Sequence, residues 1–562
     1  MNAVIVKRLI LLTIAVASSN FTVADEKVPP PRIDHEGIRG RLILVGGGTL
    51  PDIVVSALKE AVGDDGHLVL IPDAADQRAA AVERDTKWLS DAGIQSITAL
   101  PEPESSDDWL DLAAREISRA SAVWIGGGQQ SRLAGLYAGT SVEVALQDVL
   151  TRGGTIAGTS AGAAIMSKTM IASGNAEPVM STGLDLLPNA IVDQHFTQRQ
   201  REPRSRKAVA DHPGHFGIGI DEGTAVIVEG RHIFVAGDGA ATVLLPACGW
   251  RAAEEYSLRN GERADLTQLR RAAISRASSA DPSIPDQDQI SVPRGALIIV
   301  GGGGMPTEIV DRFLQLAGGS DAHIVCLPTA VPREMARRQR LPGFLADARV
   351  ASVVMLPHSR TDEIQSAEFQ EALKRATGIW FGGGRQWNFV DAYNNTSAME
   401  LFRDVLNRGG VIAGSSAGAT IQGDFLVRGH PLGNTVMMAE GYEAGFAFLP
   451  GTAIDQHFTQ RGRQPDLLPV IARNPRYLGI GIDEATAIVV QGSNAEVIGQ
   501  HAAHFLSQKQ LPNAVDVADL PQTPEEAAAL YVTAKSGQTI DLQTLSVTYK
   551  KDANNTVPCI AP

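Results

Sequence analysis

The sequence predicts an α/β protein built of two tandem three-layer domains, each a mostly parallel sheet flanked by helices. Apolar runs without polar alternation, such as LILVGG at 42–47, HLVLIPD at 67–73, AVWIGGG at 122–128 and GTIAGTS at 154–160, read as strands buried on both faces. Helical stretches, IVVSALKEAV at 53–62 and DTKWLSDAG at 85–93, separate these runs, and that alternation is the signature of a helix-covered parallel sheet. The whole pattern then occurs a second time, opening with LIIVGGGGMP at 297–306 after LILVGGGTLP at 42–51.

The repeat is measurable. Ser160 and Ser416 are 256 positions apart, as are Trp124 and Trp380, whereas His195 and His457, and Glu222 and Glu484, are 262 apart. About six residues were therefore inserted between serine and histidine in the second copy. Tyr256, Gly261 and Asp265 are echoed at the second end by Tyr531, Gly537 and Asp541. A period this long means tandem domains, since solenoid units run to roughly 20–50 residues.

In chain order, the first 24 residues read as a signal peptide. Lys7 and Arg8 precede an apolar run from Leu9 to Ala17, and cleavage is expected after Ala24, which makes the protein secreted or periplasmic. That run is too short to span a bilayer, so no membrane partner is expected of the mature form. Residues 25–38 form a Pro-rich, charged linker, 39–274 the first domain, 275–293 a linker with three prolines, 294–551 the second domain and 552–562 a tail. The two copies could pack as an intramolecular pseudo-dimer. Of the three cysteines, Cys326 lies in a strand-like run, and Cys248 and Cys559 could pair after export.

A net charge of −14 argues against a nucleic-acid partner, which needs a basic face. The GGGTLP and GGGGMP turns lack both the GxGxxG spacing and the Lys-Ser/Thr of a phosphate loop. His212 and His215, in HPGHF, read as a loop, and no His or Cys cluster has metal spacing. No metal or cofactor is expected.

The chemistry starts at Ser160, in GTSAG, and Ser416, in GSSAG. Each follows a strand and opens a helix, so the hydroxyl is expected to be exposed on a tight turn that only small neighbours allow. The amide after the serine, at Ala161 or Ala417, then faces a developing oxyanion. A serine needs a base and the base an orienting group. His195 and His457 sit in identical DQHFTQR contexts, and each copy follows with GIGI and an acidic pair, Asp221-Glu222 or Asp483-Glu484. Neighbouring side chains on a strand face opposite ways, so one of each pair can reach the imidazole, and spacing does not say which. The order serine, histidine, acid excludes the α/β-hydrolases, which run serine, acid, histidine.

GTSAGA, DQHFxQRxR and GIGIDExTA, with GGGxQ upstream, together resemble the cyanophycinase family of serine peptidases, over nearly all the chain between the linkers. The resemblance implies a fold like that of class I glutamine amidotransferases. It implies nucleophiles at Ser160 and Ser416, bases at His195 and His457, and Glu222 and Glu484 as third members. It further implies substrate contacts from Gln130, Gln194, Gln386 and Gln456, and oxyanion amides near Gly127 and Gly383. The expected substrate is cyanophycin, a polyaspartate with arginine on each β-carboxyl, or another acidic isopeptide, cut to β-Asp-Arg dipeptides. Arg199, Arg201, Arg461 and Arg463 suit carboxylate binding. Such families often carry a third basic residue nine positions after the histidine. Here the first copy has Arg204 and the second Asp466, so the second site is expected to be weaker or altered. Gln129 against Arg385 and Ser131 against Trp387 are further expected substrate-facing differences. A serine dipeptidase for other aspartyl or isoaspartyl peptides, and one active beside one degenerate domain, remain as alternatives.

Overall fold

A computed structural model describes residues 34–278, 289–512 and 516–549. The expected signal peptide, the tail, most of both linkers and Cys559 lie outside the described residues. The first half centres on strand Ile38–Val45, which pairs in parallel with Thr155–Thr159, Val45 opposite Thr159. Ala122–Ile125, Leu68–Ile71 and Ile97–Ala99 continue that parallel side. On the other side Thr224–Gly230, His232–Gly237 and Arg263–Asp265 add an antiparallel wing, completing eight strands. The second half repeats this around Val292–Val300, with Val300 opposite Ser415, in a nine-stranded sheet.

Consecutive residues of the central strand join different cores. Leu42 and Leu44 pack with helix Ser141–Thr151, whereas Ile43 and Val45 pack with helix Asp52–Val62. Both faces are thus covered, which is why the run shows no alternation. Thr140 starts the helix Ser141–Thr151 by accepting a hydrogen bond from the amide of Val142.

Each half also carries a smaller sheet. In the first, Ala190–Gln194, Phe216–Ile220, Ala240–Leu245 and Glu254–Arg259 form four strands, and the second half has five. The stretch read as an interdomain linker begins inside helix Leu266–Ala277 and ends in strand Val292–Val300. No helix among the described residues is long and apolar enough to cross a membrane.

The halves meet through charge. Arg231 Nη1 reaches Asp391 at 2.7 Å, its Nη2 donates to the Tyr442 hydroxyl at 2.7 Å, and that hydroxyl donates to Asp391 at 2.8 Å. Arg271 lies 2.9 Å from Asp391, Arg251 pairs with Glu443 at 2.6 Å, and Arg276 pairs with Glu440 at 2.6 Å. The Arg231 guanidinium also covers the Trp387 ring, 4.4 Å from its centroid.

Candidate active site

Two strands set each serine. The amide of Ser160 donates to the carbonyl of Val45 at 2.9 Å, and its own carbonyl caps the helix Ala161–Ala164. Ser160 sits at φ 54° and ψ −113°, and Ser416 at 56° and −115°, a strained conformation outside the ordinary regions for a side-chain-bearing residue. The flanking glycines are there for contact: a Cβ on Gly158 would lie 2.4 Å from the carbonyl oxygen of Gly162.

The histidines come from the smaller sheets. Strand Ala190–Gln194 delivers His195, whose amide donates to the carbonyl of Gly46 at 2.8 Å. His195 takes φ 48° and His457 takes 51°. Each imidazole lies against a glycine of the first Gly-rich run, and a Cβ at Gly47 would be 2.2 Å from His195 Cε1. The Ser160 hydroxyl lies 2.8 Å from His195 Nε2, and His195 Nδ1 lies 2.5 Å from Glu222 Oε1. In the second copy the corresponding distances are 3.0 and 2.5 Å. With the carboxylate accepting from Nδ1, Nε2 is free to accept from the serine. Burial, the largest influence, holds both imidazoles below their ordinary pKa, opposed by Glu222 and Glu484 and assisted by Arg199 and Arg461.

The acidic pair divides its work. Asp221 turns away from the imidazole: its Oδ1 accepts from the Thr197 hydroxyl at 2.7 Å and amide at 3.1 Å, and its Oδ2 from the Ala240 amide at 3.1 Å. Gln198 holds the neighbouring backbone, its Oε1 accepting from the Glu222 amide at 3.0 Å. Thr459, Gln460 and Asp483 repeat these bonds. Phe196 occupies the space a side chain at Gly219 would need, 2.4 Å from its Cβ position. Sequence reasoning passed over Gly47, Thr197 and Gln198, although the repeated DQHFTQ carried the last two in plain view.

The remaining expected site residues fall into three groups. Arg199 and Arg461 are exposed and close enough to the histidines to depress their basicity. Gly127 and Gly383 lie against the serines, their Cβ positions 3.4 and 3.6 Å from Ser160 Cβ and Ser416 Cβ, and Ala161 and Ala417 are buried at the helix starts. The others are committed inside the protein. Gln130 donates to the Ile171 carbonyl at 3.0 Å, and Gln386 to the Val427 and Arg428 carbonyls at 2.8 and 2.9 Å. Arg201 and Arg463 donate to the carbonyls of Gln194 and Gln456, each at 2.7 Å, and Gln194 Oε1 accepts from Arg201 as well. Both glutamines are buried, but the side-chain oxygen of Gln456, unlike that of Gln194, has no hydrogen-bond partner among the described residues.

Arg204 departs from expectation. It is 4 % exposed, with Nε and Nη2 on Asp193 at 2.7 and 2.5 Å and Nη1 on the Gly174 carbonyl at 2.6 Å. A guanidinium so engaged does not present itself to a ligand. Asp466 is likewise no lone acid, because it pairs with Arg428. The charge reversal therefore supplies no repulsion for an acidic ligand. Trp387 and Arg385 are also committed, to Arg231 and to the His430 carbonyl.

The sequence model of peptidase family S51 matches residues 42–236 and 297–498. A cyanophycinase of Trichormus variabilis is 35% identical over 206 residues, 35% of this chain and 68% of that protein. A cyanophycinase of Synechococcus elongatus is 31% identical over 225 residues, 38% of this chain and 70% of that protein. Among solved structures, a peptidase from an acI-B1 Actinobacterium is 21% identical, covering 41% of this chain and 98% of that one, with a TM-score of 0.34. With both halves matched, the chain belongs to peptidase family S51, a serine-type hydrolase carrying the family's unit twice.

Proposed function

We propose that this protein is a secreted or periplasmic serine exopeptidase that hydrolyses cyanophycin to β-Asp-Arg dipeptides at two Ser-His-Glu sites, one in each of the units 39–274 and 294–551. One observation carries the reading: serine, imidazole and glutamate stand in hydrogen-bonding line twice, each beside an exposed arginine. Relatives named cyanophycinases supply the substrate class.

In this reading His195 Nε2 takes the Ser160 proton as the oxygen attacks the scissile carbonyl. Glu222 holds the imidazole in the tautomer that makes this possible and stabilises the imidazolium. The amides of Ala161 and Gly127 receive the oxyanion. His195 then protonates the leaving amine, and water repeats the sequence on the acyl-enzyme. Arg199 and Arg461 receive the carboxylates of a polyaspartate end.

Mass spectrometry of products from purified cyanophycin tests the proposal. β-Asp-Arg is expected, and Ser160→Ala with Ser416→Ala lowers turnover by about 10⁴-fold or more. Each single variant keeps part of the activity, because the other site still holds its serine, histidine and glutamate in line. An intact polymer beside cleaved Asp-Xaa dipeptides would replace cyanophycin with those substrates.

A further inference from the structure

Two residues before each histidine lies a buried aspartate, and the two copies neutralise it from different places. In the first copy Asp193 accepts from Arg201 Nη1 at 3.2 Å, from Arg204 Nε and Nη2 at 2.7 and 2.5 Å, and from the Ser205 hydroxyl at 2.8 Å. Arg204 comes from helix Glu202–Asp211, after the histidine. In the second copy Asp455 is fully buried and accepts from Arg463 Nη1 at 3.1 Å, the counterpart of Arg201. Its second guanidinium is Arg428, with Nε at 3.0 and 3.1 Å from the two oxygens and Nη2 at 2.9 Å. Arg428 follows strand Gly423–Phe425, before the histidine, and is 4 % exposed.

The alignment of these positions is internal to the structure. Gln130 binds the carbonyl of Ile171, and Gln386 those of Val427 and Arg428, and the offset of 256 that relates Ser160 to Ser416 places Arg428 where the first copy has Ala172. Asp466 stands where the first copy has Arg204, and there it pairs with Arg428. The two differences go together: the second copy has its arginine where the first has alanine, and where the first has Arg204 the second has the partner of that arginine.

We propose that Arg428 is the positioning residue of the second site, doing from the nucleophile's side what Arg204 does from the histidine's. This rests on the Ser416–His457–Glu484 reading above. The linkage runs from Arg428 to Asp455, from Asp455 to Arg463, and from Arg463 to the carbonyl of Gln456, the residue before His457. His457 holds a left-handed backbone that needs its surroundings fixed. Without Arg428, a buried carboxylate faces one guanidinium, Arg463 is drawn off the Gln456 carbonyl, and the imidazole loses its aim.

The test uses the full chain carrying Ser160→Ala, so that only Ser416 responds. Two readouts are taken, labelling of Ser416 by a fluorophosphonate and dipeptide release from cyanophycin, with thermal unfolding recorded for each variant. Arg428→Ala is expected to lower the labelling rate and kcat roughly tenfold to a hundredfold, the effect of a misplaced catalytic group, while KM stays nearly unchanged. Adding Asp466→Arg rebuilds the Arg204 arrangement and restores labelling to within a few-fold. Arg428→Ala labelling at the parent rate overturns the proposal. So does a double variant that is folded yet labels no faster than Arg428→Ala. If Arg428→Ala fails to fold, recovery of both folding and labelling in the double variant supports the proposal. Failure of Ser416 to label in the Ser160→Ala parent would count against the proposed function, while recovery of the unfolding temperature in the double variant would still report the exchange.

Discussion

Gly47 sets where an imidazole can lie. Its φ of 105° and the ring packed on its Cβ position leave no room for a side chain, and Gly302 is alike at 100°. Gly47→Ala is expected to abolish fluorophosphonate labelling of Ser160 and leave Ser416 reactive, read by mass spectrometry of the labelled peptides. Equal labelling of both serines would show that the ring can move aside. At the neighbouring position, Glu222→Gln replaces an acceptor-only carboxylate with a neutral amide that can also donate to Nδ1, so the tautomer is no longer enforced and turnover at Ser160 should fall by about 10³–10⁴-fold, measured in a Ser416→Ala background. The pH profile has a definite sign. Burial lowers the His195 pKa, so labelling of Ser160 rises with pH through a midpoint below the usual imidazole value of about 6.5 and levels off above that midpoint. Glu222 opposes that lowering, so the residual profile of Glu222→Gln moves further to acid. Serine and histidine were legible in the sequence because chemistry repeated while the surroundings drifted. The choice between Asp221 and Glu222 was not, because it depends on Thr197 and Ala240, which meet Asp221 only in the folded turn.

At the scale of elements, the turn between strands Phe216–Ile220 and Thr224–Gly230 joins the smaller sheet to the larger. The serine comes from the larger sheet, the histidine from the smaller, and the glutamate from the joint between them. Asp221 fastens that joint to the smaller sheet, with bonds to Thr197 after strand Ala190–Gln194 and to Ala240 at the start of strand Ala240–Leu245. Asp221→Ala should therefore cost about 1–2 kcal/mol of stability in urea unfolding, since it removes three hydrogen bonds to a buried carboxylate. An unchanged midpoint would mean that water replaces those bonds. The parallel strands and their helices could be read from apolar runs, whereas the antiparallel wing and the second sheet could not. A buried strand looks the same in either direction, and what separates the sheets is the turn, whose GIGIDE spelling names no geometry.

Across the whole molecule, arginines of the first half meet acids of the second. Asp391 receives Arg231, Arg271 and the Tyr442 hydroxyl, and its side chain is 2 % exposed. Asp391→Ala removes the carboxylate shared by Arg231, which keeps its bonds to Asp265 at 2.6 and 2.9 Å, and Arg271, which is partly exposed, and should destabilise the protein by about 1–3 kcal/mol, visible as a lower or split thermal transition. A single unshifted transition would show that the halves are held by other contacts. None of this interface was legible from the repeat, because it is not itself repeated. By the same offsets Arg231 corresponds to Ser493 and Asp391 to Gly135. Internal similarity reveals what each copy does alone, while the contact between copies rests on residues that differ.

The opposite placement of the second arginine makes the two copies incompatible at single positions. Each buried aspartate is served by two guanidiniums, Arg201 and Arg204 in one copy, Arg463 and Arg428 in the other. An arginine placed at 466 beside Arg428 would crowd a third like charge around Asp455, and an aspartate placed at 204 would set a second carboxylate beside Asp193. Residues 172 and 204 of the first copy, and 428 and 466 of the second, are therefore interchangeable only as pairs.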